Sequence, residues 1–479
     1  MRFAAIVLLI LLAPAGGVLA GFDGLLHYAR TRNLDGVRDL LEQGADPNPP
    51  YESYDGYTPL MFAAGYGLPD MTRLLLEAGA ETERRDHNGD RALQWAARKS
   101  YMNHFTDTAE AARLLLEAGS PPDSDGDRYG SSPLIDVNAF GSDPVMTRHL
   151  IAAGADVNRR DNSGRSPLFT ASGSAQGHEA VRLLLEAGAE PDIRVDHLDR
   201  TPLHRAAGSA GPQTIRLLIE AGAAVEARNN DGATALFVAA ARGRAANVEA
   251  LVSLGAQVDA PAADGLTPIL AAVTGRTYDQ SGHAEAALHL AGVSDDIDRA
   301  FAAALWAHMP QVAERLLQRG ADVGAVDHAG RSVLAGATAL SATDWFERLV
   351  AHGADLARHG GEALGVAAAG GADDLVRRLL GLGVGVDARA PSGATALLFA
   401  ARSGRVSTVR LLLQQGADPR ARDAGARRAF DHMAQARDAL EAVIAHAEAS
   451  RAYINVSAER VELARLQAAH AEIGVLLGS

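Results

Sequence analysis

The stretch TPLHRAAGSAGPQTIRLLIEAGAAVEARNN, residues Thr201–Asn230, decides the fold. Thr201 has the hydroxyl of a helix N-cap, and Pro202 fits the first helical position, where its missing N–H costs nothing. Leu203, Ala206 and Ala207 give a short first helix a narrow apolar face, and Gly208 to Pro212 predict its end. Ile215, Leu217, Leu218 and Ile219 predict a second helix buried over much of its surface. Gly222 supplies a left-handed residue to terminate it. The polar AAVEARNNDGA that follows predicts an exposed turn leading to the next cap. Neither helix is long enough to stand alone in water, so stability has to come from stacking the pair on neighbours.

The neighbours are written in the same sequence. RLLLEAGA occurs at Arg73–Ala80 and Arg182–Ala189, and RLLLEAGS at Arg113–Ser120. The apolar residue of the TPL-like cap falls at positions 60, 93, 134, 168, 203, 236, 269, 301, 334, 364 and 397, mostly 32 to 35 residues apart. The period, TPLHRAA at Thr201–Ala207, the LLLEAGA endings and GADVN at Gly154–Asn158 together resemble the ankyrin repeat, of the kind found in exported bacterial proteins. The resemblance runs from Phe22 to about Ala447. It implies an all-α solenoid of about thirteen helix–turn–helix repeats with hairpin-like fingers between them. Gly24–Asn48 looks like an N-terminal cap, and Asp423–Ala447, which lacks the Gly–Ala ending, like a C-terminal one.

Departures from the frame suggest the organisation. The 93-to-134 step is long, with its excess in Arg98–Thr108. Thr274–His283 is a long inter-helix loop, and the nine residues from Gly292 to Phe301 leave no room for a finger. The repeat near Glu362 has a shortened finger. A seam within 275–300 is therefore expected, dividing a stack over 21–292 from one over 293–447, followed by a tail over 448–479. In that tail Leu463, Leu466, Ile473 and Leu476 have helical spacing, as in a helix that covers the last repeat or binds a partner.

The N-terminus reads as an export signal. One Arg2, an apolar run from Phe3 to Ala13, a Pro14/Gly16/Gly17 break and VLA predict cleavage before Gly21. The alternative is an uncleaved anchor, although the run is short of the ~20 residues of a span. At Leu19–Phe22 the sequence LAGF puts Phe22 where a lipoprotein would carry its lipidated cysteine. The expected location is the periplasm, or outside the cell, with no membrane anchor after cleavage.

Composition narrows the function classes. There are 45 basic and 59 acidic residues, a formal charge of −14, which argues against a nucleic-acid partner. The chain has no cysteine, so disulfides, thiolate metal sites and cysteine nucleophiles are excluded. Lys99 is the single lysine and has no phosphate-loop setting. HEAVR at His178–Arg182 lacks the second histidine of a zinc-protease helix, and no G-x-S-x-G elbow occurs. His204 occupies the position of the family's TPLH histidine, for which the resemblance implies a structural bond to the next repeat. DSDGD at Asp123–Asp127 has the alternating acids of a calcium loop, but Arg128 and Leu134 replace the required glycine and glutamate. We therefore expect no catalytic residues, metal or cofactor.

What remains is surface. By the resemblance, finger tips and first-helix ends line a protein-binding face. The residues this implies are Tyr54, Tyr57 and Tyr66 in the second repeat, His87, Asn88, Arg98 and Lys99 in the third, and Phe140 in the fourth. Four of the nine tyrosines lie within Tyr51–Tyr66. Tyrosine and arginine are able interface anchors, although the aromatics could equally plug the groove beside the cap. The function expected is non-enzymatic binding of a protein partner, with neutralisation of a toxic secreted effector placed first. Support of a periplasmic enzyme, for example in oxidant defence, or an envelope scaffold is the alternative, and an enzyme hidden in the repeats is a further one.

Overall fold

The computed structural model describes residues 22–48, 56–99, 107–123, 128–139, 142–195, 197–275, 280–340, 343–429, 431–435, 437–438, 441 and 457–477. The candidate leader, Tyr51, Tyr54, Phe140 and most of DSDGD lie outside them. Among the described residues secondary structure is helical, with strand-type pairing reduced to isolated bridges at three finger bases, Val195 with Arg200, Val326 with Ser332 and Arg389 with Thr395. No described helix is long and apolar enough to cross a membrane.

The chain forms two compact units. One comprises residues 1–239 and 246–265, the other 240–245 and 266–479. Among the described residues, twelve helix pairs run from Phe22–Arg30 with Leu34–Glu42 to Ala396–Arg402 with Val406–Gln414. Most are a short first helix and a second of about nine residues, as in Pro202–Ser209 followed by Pro212–Glu220.

In this sixth repeat Thr201 and His204 make a reciprocal capping box. Gly208 continues the first helix, and the break falls at Ala210 and Gly211, within the Gly208–Pro212 stretch expected for it. The second helix buries Thr214, Ile215 and Leu218, while Leu217 and Ile219 are half-buried. Gly222 ends it at φ 94°, and an added Cβ there would meet nothing within 4 Å, so the backbone conformation alone requires glycine. The core is built largely of Leu, Ala and Val, as the low aromatic content requires; Phe301 and Phe346 are its largest fully buried members.

Stacking is held by polar bonds as well as by apolar contact. Asn48 accepts from the Glu81 N–H at 2.7 Å, Asn158 from Glu190 at 2.9 Å, Asp192 from Ala224 at 2.9 Å and Glu226 from Gln257 at 2.8 Å. Asp123, considered above as a calcium ligand, takes this role too, accepting from the Asp156 N–H at 2.7 Å. Second helices are laced by ion pairs. Arg113 hydrogen bonds hold the Glu110 carboxyl below its ordinary range, and Arg182 does the same to Glu179. In the second unit Arg348 reaches Glu314 at 2.8 Å and Arg378 reaches Glu347 at 2.8 Å.

The finger turns share one device. Asp161 Oδ1 accepts from the backbone N–H groups of Ser163 and Arg165, and its Oδ2 from Arg165 Nε at 2.7 Å. Asp327 repeats this with Ala329 and Arg331. Where the frame is short, fingers are missing. Helix Ile297–Trp306 begins six residues after Ala291 ends its predecessor. At the repeat near Glu362 the finger is absorbed into a 15-residue helix, Leu356–Gly370, capped by Asp355. That helix carries Gly361 where the next finger crosses: a Cβ there would lie 2.6 Å from the Arg389 carbonyl oxygen.

The tail helix Ser457–Leu477 packs on the last complete pair, burying Leu466, Ala469 and Ile473 and half-burying Leu463 and Leu476. Leu466 and Ala469 sit over Gly404, and Arg410 pairs with Glu472 at 2.8 Å. This is covering geometry.

Candidate protein-binding face

The N-terminal three repeats bring five rings together. Tyr57 stands just before the Thr58 cap and meets His87, at the tip of the next finger, edge-on at 5.4 Å. It meets Trp95 at 5.4 Å and Phe62 at 5.9 Å. Phe62 touches Trp95 at 5.3 Å and Tyr66 at 5.9 Å, and the Arg32 guanidinium of the first repeat lies 4.8 Å over the Tyr66 ring. Tyr57, Phe62, Tyr66 and Trp95 are half-buried and His87 is exposed. The cluster is thus both packed within itself and open on one side.

Its orientation is fixed from below. Trp95 Nε1 donates to Asp86 Oδ2 at 3.1 Å. The other oxygen of Asp86 closes the finger turn, accepting from the N–H groups of Asn88 and Asp90 at 2.8 and 2.9 Å. The Asn88 carbonyl accepts from the Arg128 N–H at 3.2 Å, tying this finger to the next.

Arg98 sits beside the cluster with its guanidinium already engaged. Nε donates to Asp136 Oδ2 at 3.0 Å, and Nη1 bonds Asp90. Both carboxylates are buried, and Asp136 also accepts from Ser131 Oγ at 2.6 Å. Arg98, Tyr129, Ile135, Asp136 and Arg165 line a cleft of about 380 Å³. Tyr129, 52% exposed, forms its rim under the Arg128 guanidinium, 4.8 Å above the ring. Lys99 ends helix Ala92–Lys99, and its side chain lies outside the described residues.

Of the residues expected at this face, the structure therefore brings Tyr57, Tyr66 and His87 into one ring cluster through Phe62 and Trp95. Asn88 follows His87 in the finger turn, and Arg98 lies three residues past Trp95 on its helix, engaged by Asp90 and Asp136. Sequence reasoning passed over Phe62, Trp95, Tyr129 and Arg32. A signal for the first two was present. Each lies two positions past a cap leucine, Leu60 and Leu93, where other repeats carry Thr170, Arg205 or Ala271. Rows of equivalent positions, rather than local tyrosine density, locate the aromatic surface.

His204 behaves as a frame residue. Its Nδ1 accepts from the Thr201 N–H at 3.2 Å, and Nε2 lies 2.9 Å from the Ala233 carbonyl oxygen in the next repeat. Burial pushes its pKa down. No group of three or more acidic or imidazole side chains placed to hold a metal occurs among the described residues.

Comparison with family models agrees with this architecture. A family model described as ankyrin repeats (3 copies) matches residues 25–125, 102–195, 190–262 and 347–423, more than half of the chain. Human SH3 and multiple ankyrin repeat domains protein 1 is 31% identical over 144 residues, 30% of this chain. That match spans only 6% of the relative's own length. Human ankyrin repeat domain-containing protein 63 is 34% identical over 130 residues, 26% of this chain and 29% of the relative. Among solved structures, the human ASB11 ankyrin repeat domain matches at 26% identity with a TM-score of 0.42, covering 49% of this chain and 98% of that one. The ankyrin repeat domain of Bcl-3 matches at 27% identity with a TM-score of 0.38, covering 47% and 96%.

Proposed function

The chain belongs to the ankyrin repeat family, and from that premise we propose that it is a non-enzymatic module holding one protein partner across the aromatic face of its first three repeats. Ankyrin repeats generally mediate protein–protein binding. The observation that carries the reading is the open ring cluster of Tyr57, Phe62, Tyr66 and Trp95, clamped by Asp86 and bordered by Arg32 and His87. Rigid aromatic side chains with one free side supply contact area at little entropic cost, the usual make-up of interface hot spots.

We further propose that the protein acts after export, in the periplasm or outside the cell, on the strength of the Arg2-to-Ala20 leader. Its job there is to grip and neutralise a toxic secreted effector. The long series of repeats supports this, since it gives enough face to cover a bulky target beyond the ~800 Å² per partner of an ordinary complex. Support of a periplasmic enzyme is the second reading and uses the same face.

The test is capture from envelope extract of the source cells with the chain lacking residues 1–20. Recovery of one stoichiometric protein is expected, and a secreted enzyme whose toxicity the chain abolishes supports neutralisation. A captured enzyme made more active supports the second reading. Repeated recovery of nothing contradicts both.

A further inference from the structure

The second compact unit has a cleft at nearly the same place in its repeats as the Arg98 cleft of the first, with different chemistry. It is about 290 Å³ and is bounded by Thr274, Ala303, Trp306, Ala307, His328 and Arg331. In the first unit the position two past the cap leucine is Asp136, and the protein's own carboxylate already meets Arg98 there at 3.0 Å. In the second unit the matching position, two past Phe301, is Ala303. None of the described residues lining this cleft is acidic.

Its cation is held ready. Asp327, whose side chain is fully buried, takes Arg331 Nε at 2.8 Å and Nη2 at 2.6 Å on one oxygen. Arg331 Nη1 has no partner among the described residues. The guanidinium lies 4.7 Å over the Trp306 ring, whose own Nε1 donates to the Ser332 carbonyl oxygen at 3.1 Å. The arginine is thus locked in direction by a buried acid and an aromatic plate. His328 adds an exposed imidazole at the rim. Locking the fork in advance favours a carboxylate, because little side-chain entropy remains to be lost. The volume sits at or below the ~300–1,000 Å³ of small-molecule pockets, which suits one inserted side chain better than a free metabolite.

We propose that this cleft receives an aspartate or glutamate side chain from an acidic segment of the protein partner, a second contact point in addition to the aromatic face. The proposal rests on the protein-binding reading, but its test uses a peptide and not the partner, so the two fail separately.

The full chain lacking residues 1–20, with its indole groups labelled by nitrogen-15, is titrated at low salt with an N-acetylated pentaglutamate amide. Trp306→Phe identifies the Trp306 indole signal. That signal is expected to move in a saturable way with pentaglutamate and to stay in place with pentaglutamine. Arg331→Gln should abolish the movement. Because Asp327 loses its partner in that variant, Ala307→Glu provides a second arm: it places a carboxylate in the cleft without touching the Arg331–Asp327 pair, and should block the peptide. No movement with pentaglutamate, or an undiminished movement in Ala307→Glu, overturns the proposal. An equal response to free glutarate at the same carboxylate concentration would reassign the cleft to a small anion and overturn it as well.

Discussion

His204 Nε2 lies 2.9 Å from the carbonyl oxygen of Ala233, across the boundary between two repeats, with the ring 2% exposed. Because Nδ1 accepts from the Thr201 N–H, Nε2 carries the proton that meets this carbonyl, and the neutral ring satisfies both sides at once. His204→Ala leaves a buried acceptor unpaired and a cavity, and is expected to lower stability by about 2 kcal/mol. Urea unfolding followed by circular dichroism checks it. A midpoint within error of wild type would remove the residue from the frame.

The same ring predicts a pH dependence. Burial holds its pKa below the ordinary 6.5, so on acidification the unfolded chain takes the proton first. The contribution is complete above about pH 6.5 and is lost as pH falls toward the folded value. Glu110 and Glu179, held low by arginine hydrogen bonds, add a second loss only below about pH 4.5, small because both pairs are half-buried and still screened by solvent. Stability measured from pH 8 downward should therefore decline in two stages. His204→Ala should shrink the first, to which His432 and His470, also held low by burial, contribute the rest, and leave the second unchanged.

Arg98→Ala should be more costly than a surface arginine has any reason to be. The side chain is 23% exposed, and it compensates Asp90 and Asp136, whose side chains are 5% exposed. Removing it takes a shared cation from two buried carboxylates, an effect of about 3 kcal/mol. Arg98→Ala combined with Asp136→Asn should recover part of the loss. Equal melting temperatures for Arg98→Ala and wild type would show that the network is not structural.

Two glycines separate two reasons for glycine. Gly222→Ala meets no atom and should cost only the left-handed backbone, about 1 kcal/mol. Gly361 is in ordinary helical conformation, yet a Cβ would stand 2.6 Å from the Arg389 carbonyl oxygen. Gly361→Ala must therefore push the next finger off the long helix, and about 2 kcal/mol or more is expected. Thermal melts of the two variants should rank in that order.

Tyr57 and Tyr66 should differ as well. Tyr57 touches three rings, whereas Tyr66 touches one ring and the Arg32 guanidinium. Tyr57→Ala is expected to lower the melting temperature along with affinity for the captured partner. Tyr66→Ala should weaken binding with a melting curve close to wild type. The reverse ranking would place Tyr66 in the frame.

Much of this architecture was legible in the letters because a repeat states its own rules many times. Thr201, Pro202, Leu203 and Gly222 mark cap, first position, core anchor and stop, and the structure uses each of them so. The break falls at Ala210 and Gly211, inside the Gly208–Pro212 stretch, with Gly208 itself still helical. The missing finger before Phe301 was visible as a short count, because a hairpin needs residues. The 15-residue helix over Leu356–Gly370 was not, since alanine and glycine in that segment fit loop and helix alike. The face was half legible. Tyr57 and His87 follow from finger positions and Tyr66 from its place at a first-helix end, but Trp95 joins them through Asp86, a contact that depends on how one finger folds over the next helix. The engagement of Arg98 by Asp136, 38 residues on, depends likewise on stacking and has no local signature.

The central claim, that a partner lies on the aromatic face, is tested most directly by site-specific photo-crosslinking. Benzoylphenylalanine is placed singly at Tyr66, on the face, and at Arg216, exposed on a second helix, and the chain is irradiated in envelope extract. The account predicts a covalent adduct of one protein from Tyr66 and none from Arg216. An adduct from Arg216 with Tyr66 silent would contradict it.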